Sequence, residues 1–160
     1  MKKNYIILPV YNDWDSLKKV LEILDRSLKT LNSNNFIIIV NDFSSKKINL
    51  NKKYSNFKKI RVLNLNKNVG SQKAIFFGLK YLQKIIKNKN YASTISILDS
   101  DGEDNPIVIK KLIKLVNLKK DYFIFVSRKK RTENNFLKAL NQIRLIITFI
   151  LTGKYINFGN

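Results

Sequence analysis

The sequence predicts an α/β domain with a mostly parallel sheet flanked by helices. Three observations predict it. Short runs rich in β-branched and aromatic residues alternate with longer stretches whose apolar residues recur at helical spacing. One strand-like run, Phe36 to Val40, is apolar throughout, as a strand buried on both faces of a parallel sheet must be. The least ordinary polar residues fall just after those runs, where an open parallel sheet binds its ligands. Such alternation implies right-handed crossovers from strand to strand.

Tyr5 to Val10 reads as the first strand. Asp13 or Asp15 can cap a helix reaching to about Leu31, with Leu17, Val20, Leu21, Leu24 and Leu28 on one face. Phe36 to Val40 is a fully apolar second strand, and Ile60 to Leu65 alternates as a third. Between them, Lys46 to Phe57 is polar and carries no clear pattern. Val69 to about Ile86 forms a second helix, with Ala74, Phe77, Leu79, Leu82, Ile85 and Ile86 apolar. Thr94 to Leu98 is a fourth strand. Pro106 belongs near the first turn of a third helix, where its missing N–H costs little. Tyr122 to Val126 reads as a fifth strand, and Phe136 to Leu151 as a fourth helix, apolar nearly all round at its end.

The chain has 160 residues, 44% of them hydrophobic, enough for one domain with a real core. It contains neither cysteine nor histidine. Disulfides, thiolate nucleophiles, Ser-His triads, imidazole bases and imidazole–zinc sites are therefore excluded. Chemistry must rest on carboxylates, Lys and Arg, hydroxyls, amides and an oxygen-ligated metal. The formal net charge of +20 invites a nucleic-acid or anionic-membrane reading. Lysine is spread along the chain instead of forming a tract, so the charge is read chiefly as compositional, with no specific nucleic-acid partner. No segment reaches the about 18–20 apolar residues of a membrane span. The apolar run after Met1-Lys2-Lys3 is broken by Pro9 and Asn12 and lacks a cleavage site, so a cytoplasmic protein is expected.

The strongest motif is Asp99-Ser100-Asp101 followed by Gly102. On a strand, residues two apart point the same way. Asp99 and Asp101 can thus present two carboxylates together, a hard-oxygen site for Mg²⁺ or Mn²⁺. A capping turn is the plainer alternative, but Asp104 and Asn105 suffice to cap the third helix, which leaves Asp99 and Asp101 without a structural task. After the first strand, Pro9 stops the ladder, Tyr11 can lie against a base and Asn12 can tie down the loop. After the second come Asn41, Asp42 and Ser44. Asp42 can accept from a base N–H such as the imide of uracil, and Ser44 can meet its carbonyl or brace the loop; a helix cap is the alternative for both. Asn68-Val69-Gly70 opens the second helix, where free N–H groups and Lys73 favour an anion. Ala74 and Gly78, four apart, make a small-residue face that can lie close on the sheet, and the run lacks the Gly-Lys-Ser/Thr ending of a P-loop. After the fifth strand, Arg128 can clamp a phosphate, against the alternative of a solvated basic loop shared with Lys129 and Lys130.

These motifs, in this order over about residues 4–131, resemble the nucleotide-binding half of a family 2 glycosyltransferase with the Rossmann-like GT-A fold. The matching residues are Pro9-Val10-Tyr11-Asn12, Asn41-Asp42-Phe43-Ser44-Ser45, Asn68 and Gly70 with Ala74 and Gly78, the Asp99-x-Asp101 motif, and Ser127-Arg128. The set is similar to the dolichol-phosphate mannose synthase-like branch, which transfers sugars to polyprenyl phosphate at the cytoplasmic membrane face and mostly inverts. The resemblance implies a UDP- or GDP-linked sugar donor and a role in cell-envelope polysaccharide synthesis. It implies that Asp42 contacts the base, that Asp99 lies near the ribose, diphosphate or metal, that Ser100 lines the donor site, and that Asp101 is the principal metal ligand. Asn41 replaces the family's first aspartate but keeps a hydrogen-bonding group.

The resemblance implies two parts, a nucleotide-sugar-binding domain at 1–131 and, at 132–160, an apolar helix beginning a truncated acceptor region. That helix, 136–151, is expected to bury itself against a bilayer, a partner or a further segment. No residue matches the family's catalytic base. Because the chain stops at Asn160, it is expected to be a fragment, a truncated frame or a minimal enzyme. A donor-binding remnant or basic binding module is the non-enzymatic alternative. A nucleotidyltransferase is the enzymatic one, though Val10 to Trp14 lacks the glycine-rich basic loop it would want.

Overall fold

The computed structural model describes residues 2–46, 50, 52–86, 93–118, 123–124, 126 and 150. The chain divides into two units, Met1–Ile124 and Phe125–Asn160, and the first holds every described strand. The expected boundary between 131 and 132 lies outside the described residues, as do Arg128 and, Ile150 apart, the helix expected at 136–151.

The first unit runs β1 (Lys3–Val10), α1 (Trp14–Leu28), β2 (Asn34–Asn41), β3 (Lys59–Asn64), α2 (Ser71–Ile85), β4 (Ser93–Ile97) and α3 (Val108–Leu118). The four strands are parallel in the order β3-β2-β1-β4. The chain steps outward from β1 to β2 to β3, then crosses back to lay β4 on the other side of β1. The reversal puts the topological switch point, the ligand crevice of such sheets, between the carboxyl ends of β1 and β4.

Unbroken apolar strands need cover on both faces, and they have it. Ile6, Leu8, Val10, Ile37 and Ile39 pack with Leu17, Val20, Leu21, Leu24 and Leu28 of α1 and Ile109 and Ile113 of α3. On the opposite face Tyr5, Ile7, Ile38 and Val40 pack with Ala74 and Leu82 of α2. Each fully buried side chain of this size contributes about 1.5–3 kcal/mol. The small-residue face of α2 does lie close: a Cβ at Gly78 would sit 2.9 Å from Ile7 Cγ2 and 3.1 Å from Val40 Cγ2.

A strand apolar on both faces lacks the inside–outside alternation that fixes register in a half-buried one. Here a buried ladder fixes it at the amino end of the sheet. Asn4 Nδ2 donates to Asn35 Oδ1 at 2.9 Å, and Thr94 Oγ1 donates to Asn4 Oδ1 at 2.7 Å. These are register partners, Asn4 with Asn35 and Asn4 with Thr94. Alignment there fixes which residues emerge at the functional end.

Several boundaries differ from expectation. The first helix is capped by Asp13, whose side chain accepts from Ser16 N–H, and ends at Leu28 instead of near Leu31. Leu31 N–H bonds the Leu28 carbonyl at 2.9 Å to close a turn, and its side chain still packs on the core. The second helix starts at Ser71, because Gly70 at φ +86° is not helical. Pro106 precedes α3, its carbonyl accepting Ile109 N–H at 3.2 Å. The fifth strand expected at 122–126 is corrected where it can be read: Phe123, Ile124 and Val126 lie in no strand. An apolar, β-branched run becomes a strand only with a ladder partner, and these residues have none among the described residues.

Candidate functional site

The polar residues after the strands meet at the carboxyl rim of the sheet. Asn12 takes a left-handed backbone, φ 58°, which Asn tolerates better than most residues. This turns its amide toward the loop after β2. Asn12 N–H donates to Ser44 Oγ at 2.9 Å, and Asn12 Oδ1 accepts from Ser45 N–H at 2.8 Å and Ser45 Oγ at 3.0 Å. Asn12 therefore ties the first loop to the second, and Ser44 braces it.

Asn41 stands at the end of β2 with both side-chain atoms engaged. Its Nδ2 donates to Asn64 Oδ1 at 2.9 Å, and its Oδ1 accepts Ser44 N–H at 2.9 Å. A carboxylate at this position could not make the first bond as a donor. The Asn41–Asn64 pair is not legible in the sequence, although both residues end adjacent strands.

Asp42 is 3% exposed, and its two oxygens accept Val69 N–H and Gly70 N–H, each at 2.8 Å. These N–H groups belong to the turn before α2 and not to the first turn of the helix itself, Ser71 to Lys73. Asn68 Oδ1 also accepts Gly70 N–H, at 3.2 Å. The carboxylate meets the amino end of α2, whose first turn contains Lys73 and no acidic residue, a favourable place for negative charge. Lys73 is exposed there. Tyr11 and Phe43 are exposed aromatics on neighbouring loops. Phe43 holds φ +65°, a costly conformation for a bulky side chain, which no pattern in the sequence announces.

At the tip of β4, Asp99 and Asp101 are exposed while Ser100 between them is buried. Ser100 Oγ donates to the Pro9 carbonyl of β1 at 2.6 Å. Its hydroxyl therefore faces β1. The expectation that Asp101 lacks a structural task is corrected. Its Oδ1 accepts Glu103 N–H at 2.9 Å, closing its own turn, while Asn105 Oδ1 accepts Ile107 N–H at 3.0 Å before α3. Asp101 keeps further acceptor capacity on both oxygens.

The rim therefore gathers Pro9, Tyr11, Asn12, Asn41, Asp42, Ser44, Asn68, Gly70, Lys73, Asp99, Ser100 and Asp101 at the ends of four parallel strands. Among the described residues no cluster of three or more potential ligands forms a closed metal cage. Two hard carboxylates suit a cation of the Mg²⁺ type, which is ordinarily held by one or two carboxylates and completed by substrate phosphates and water.

Comparison with known proteins gives the family and the fold. Residues 5–159 match Glycosyl transferase family 2. The chain belongs to glycosyltransferase family 2. It is 30% identical over 110 residues to the protein named "Uncharacterized glycosyltransferase sll0501" of Synechocystis sp., covering 68% of this chain and 32% of that protein. The structure resembles that of S. aureus TarS 1-349 with a TM-score of 0.54 and 20% identity, covering 83% of this chain and 40% of that one. That likeness shows the fold, an α/β arrangement of the GT-A type. The chain thus spans about a third of its curated relative's length.

Proposed function

We propose that this chain is the donor-binding part of a glycosyltransferase that moves a sugar from a UDP- or GDP-linked donor to an acceptor. The observation that carries the reading is the placement of Asp99 and Asp101, exposed on the tip of β4 beside the β1–β4 switch point, in a family 2 chain. In this reading Tyr11, exposed on the neighbouring loop, lies against the base. Asp42, besides holding its loop, offers its remaining lone pairs toward the base. Asn12, Asn41 and Ser44 keep the pocket wall in shape, and Lys73 and Arg128 draw the diphosphate by charge.

Asp101, with Asp99, would hold Mg²⁺ or Mn²⁺, and a bound cation supplies neutralisation of the negative charge that grows on the departing diphosphate. The chain's own residues bind and orient the donor against that site. A phosphate acceptor, such as polyprenyl phosphate, needs little help from a general base; a glycan or lipid hydroxyl would take that help from a part of the protein that carries it. For a lipid-linked acceptor, the apolar residues within 136–151 supply a peripheral membrane contact. Among the described residues no helix is long and apolar enough to cross a membrane.

The test is calorimetry with a panel of UDP- and GDP-sugars, with and without Mn²⁺. The expected result is metal-dependent binding that Asp101→Ala abolishes. Binding unchanged by that substitution would reject the assignment. Transfer assays on the same panel separate a working enzyme from a remnant that only binds donor.

A further inference from the structure

The ladder between β1 and β4 ends for a reason visible in two residues. In a parallel pair, bonds recur at every second residue along a strand. Ile7 pairs with Ile97, and the Ile7 carbonyl accepts Leu98 N–H at 3.1 Å. The next bonds in the same ladder would run from the N–H of residue 9 to the Leu98 carbonyl and from Ser100 N–H to the carbonyl of residue 9. Residue 9 is proline, which has no N–H to donate. The Pro9 carbonyl instead accepts the Ser100 hydroxyl at 2.6 Å. A bond that reaches through Cβ replaces one made by the main chain. β4 can therefore peel away from β1 while its tip stays fastened.

The consequence falls on the carboxylates. With the Ser100 side chain pinned inward against β1, Asp99 and Asp101 are left on the exposed side. We propose that Ser100 is a positioning residue, whose buried bond to Pro9 sets the direction in which Asp99 and Asp101 present their carboxylates to a divalent cation and the diphosphate it holds. Pro9 is its necessary partner, since a residue with an N–H there would let the ladder run on. The inference rests on the reading that these two carboxylates hold the cation. Removing the hydroxyl leaves a buried carbonyl without its donor and the tip of β4 without its fastening.

The test compares the full chain with Ser100→Ala, Ser100→Thr, Ser100→Val and Asp101→Ala. Binding of UDP and of GDP is titrated by calorimetry with Mn²⁺ and again with the metal chelated, and Mn²⁺ binding is followed by electron paramagnetic resonance. Thr and Val have the same shape and differ in the hydroxyl, so their comparison isolates the bond from packing. The expected result is Mn²⁺-dependent binding weakened about 10- to 100-fold in the Ala and Val variants, the range typical when a group orienting a metal ligand is removed. Thr should stay close to the parent, and metal-free nucleotide binding should not move. If the Ala variant does not fold, the Thr and Val pair decides. Equal Mn²⁺-dependent binding by Thr and Val, or a parent-like Ala variant, overturns the proposal while Asp101→Ala still loses the metal. If Asp101→Ala also binds like the parent, the reading of the metal site itself fails, and this inference falls with it.

Discussion

Asp42 places both carboxylate oxygens on consecutive backbone N–H groups, at Val69 and Gly70. Bonds to a charged acceptor are the strong ones, and the acceptor here is buried. Asp42→Asn turns one acceptor oxygen into an NH₂ that faces a donor. The expected cost is about 1–3 kcal/mol, read as a lower urea midpoint with an unchanged slope. A loss near zero would mean that the loop holds its shape without the carboxylate. Residues of this kind were legible in the sequence as polar groups following apolar strands, and Asn12 was legible as a loop tie. Their partners were not. Asn12 meets Ser44 and Ser45 across more than thirty positions, and Ser100 meets Pro9 across 91. Spacing along the chain carries no record of such pairs; they exist only once the strands lie side by side. For the same reason the bond from Ser100 to the Pro9 carbonyl is not visible in the Asp99-Ser100-Asp101 motif itself.

The second helix shows how far packing outweighs propensity. Gly costs about 1 kcal/mol against Ala inside a helix, so Gly78→Ala ought to stabilise α2 on propensity alone. The methyl would lie 2.9 Å from Ile7 Cγ2 and 3.1 Å from Val40 Cγ2, two buried side chains on central strands. Overpacking of this kind typically costs about 1–3 kcal/mol, so the net effect is destabilising. A thermal midpoint that falls bears this out; one that rises would show the helix able to lift off the sheet freely. Helices α1 and α2 were legible because their apolar residues follow the helical period, and the Asp13 cap was one of two candidates the sequence offered. Their ends were less so. Gly70, with its positive φ, starts α2 two residues later than the apolar pattern suggests. The apolar run at 122–126 had the composition of a strand, but its described residues, Phe123, Ile124 and Val126, lie in none, since composition alone makes no ladder.

At the scale of the molecule, alternation in the sequence was enough to reveal the fold class, but not the order β3-β2-β1-β4 that creates the switch point. That order depends on where each crossover lands. The site depends on it entirely, since β4 brings its carboxylates beside β1 only because the chain reverses there. The charge of +20 lies mostly on lysines spread along the chain, and one of the acidic residues is paired on the surface of α1. Glu22 is bonded by Lys52 at 2.8 Å, and that hydrogen bond and charge hold its carboxyl below the usual range. The central claim is narrower than the fold: a divalent cation at the tip of β4 grips the diphosphate of a sugar donor through Asp101 and Asp99. The most direct measurement is anomalous diffraction at the manganese edge from crystals soaked in Mn²⁺ with UDP or GDP. The account predicts a manganese peak bonded to an Asp101 or Asp99 carboxylate oxygen and to the nucleotide's phosphates. A peak elsewhere, or a nucleotide bound with both carboxylates turned from it, would contradict the account.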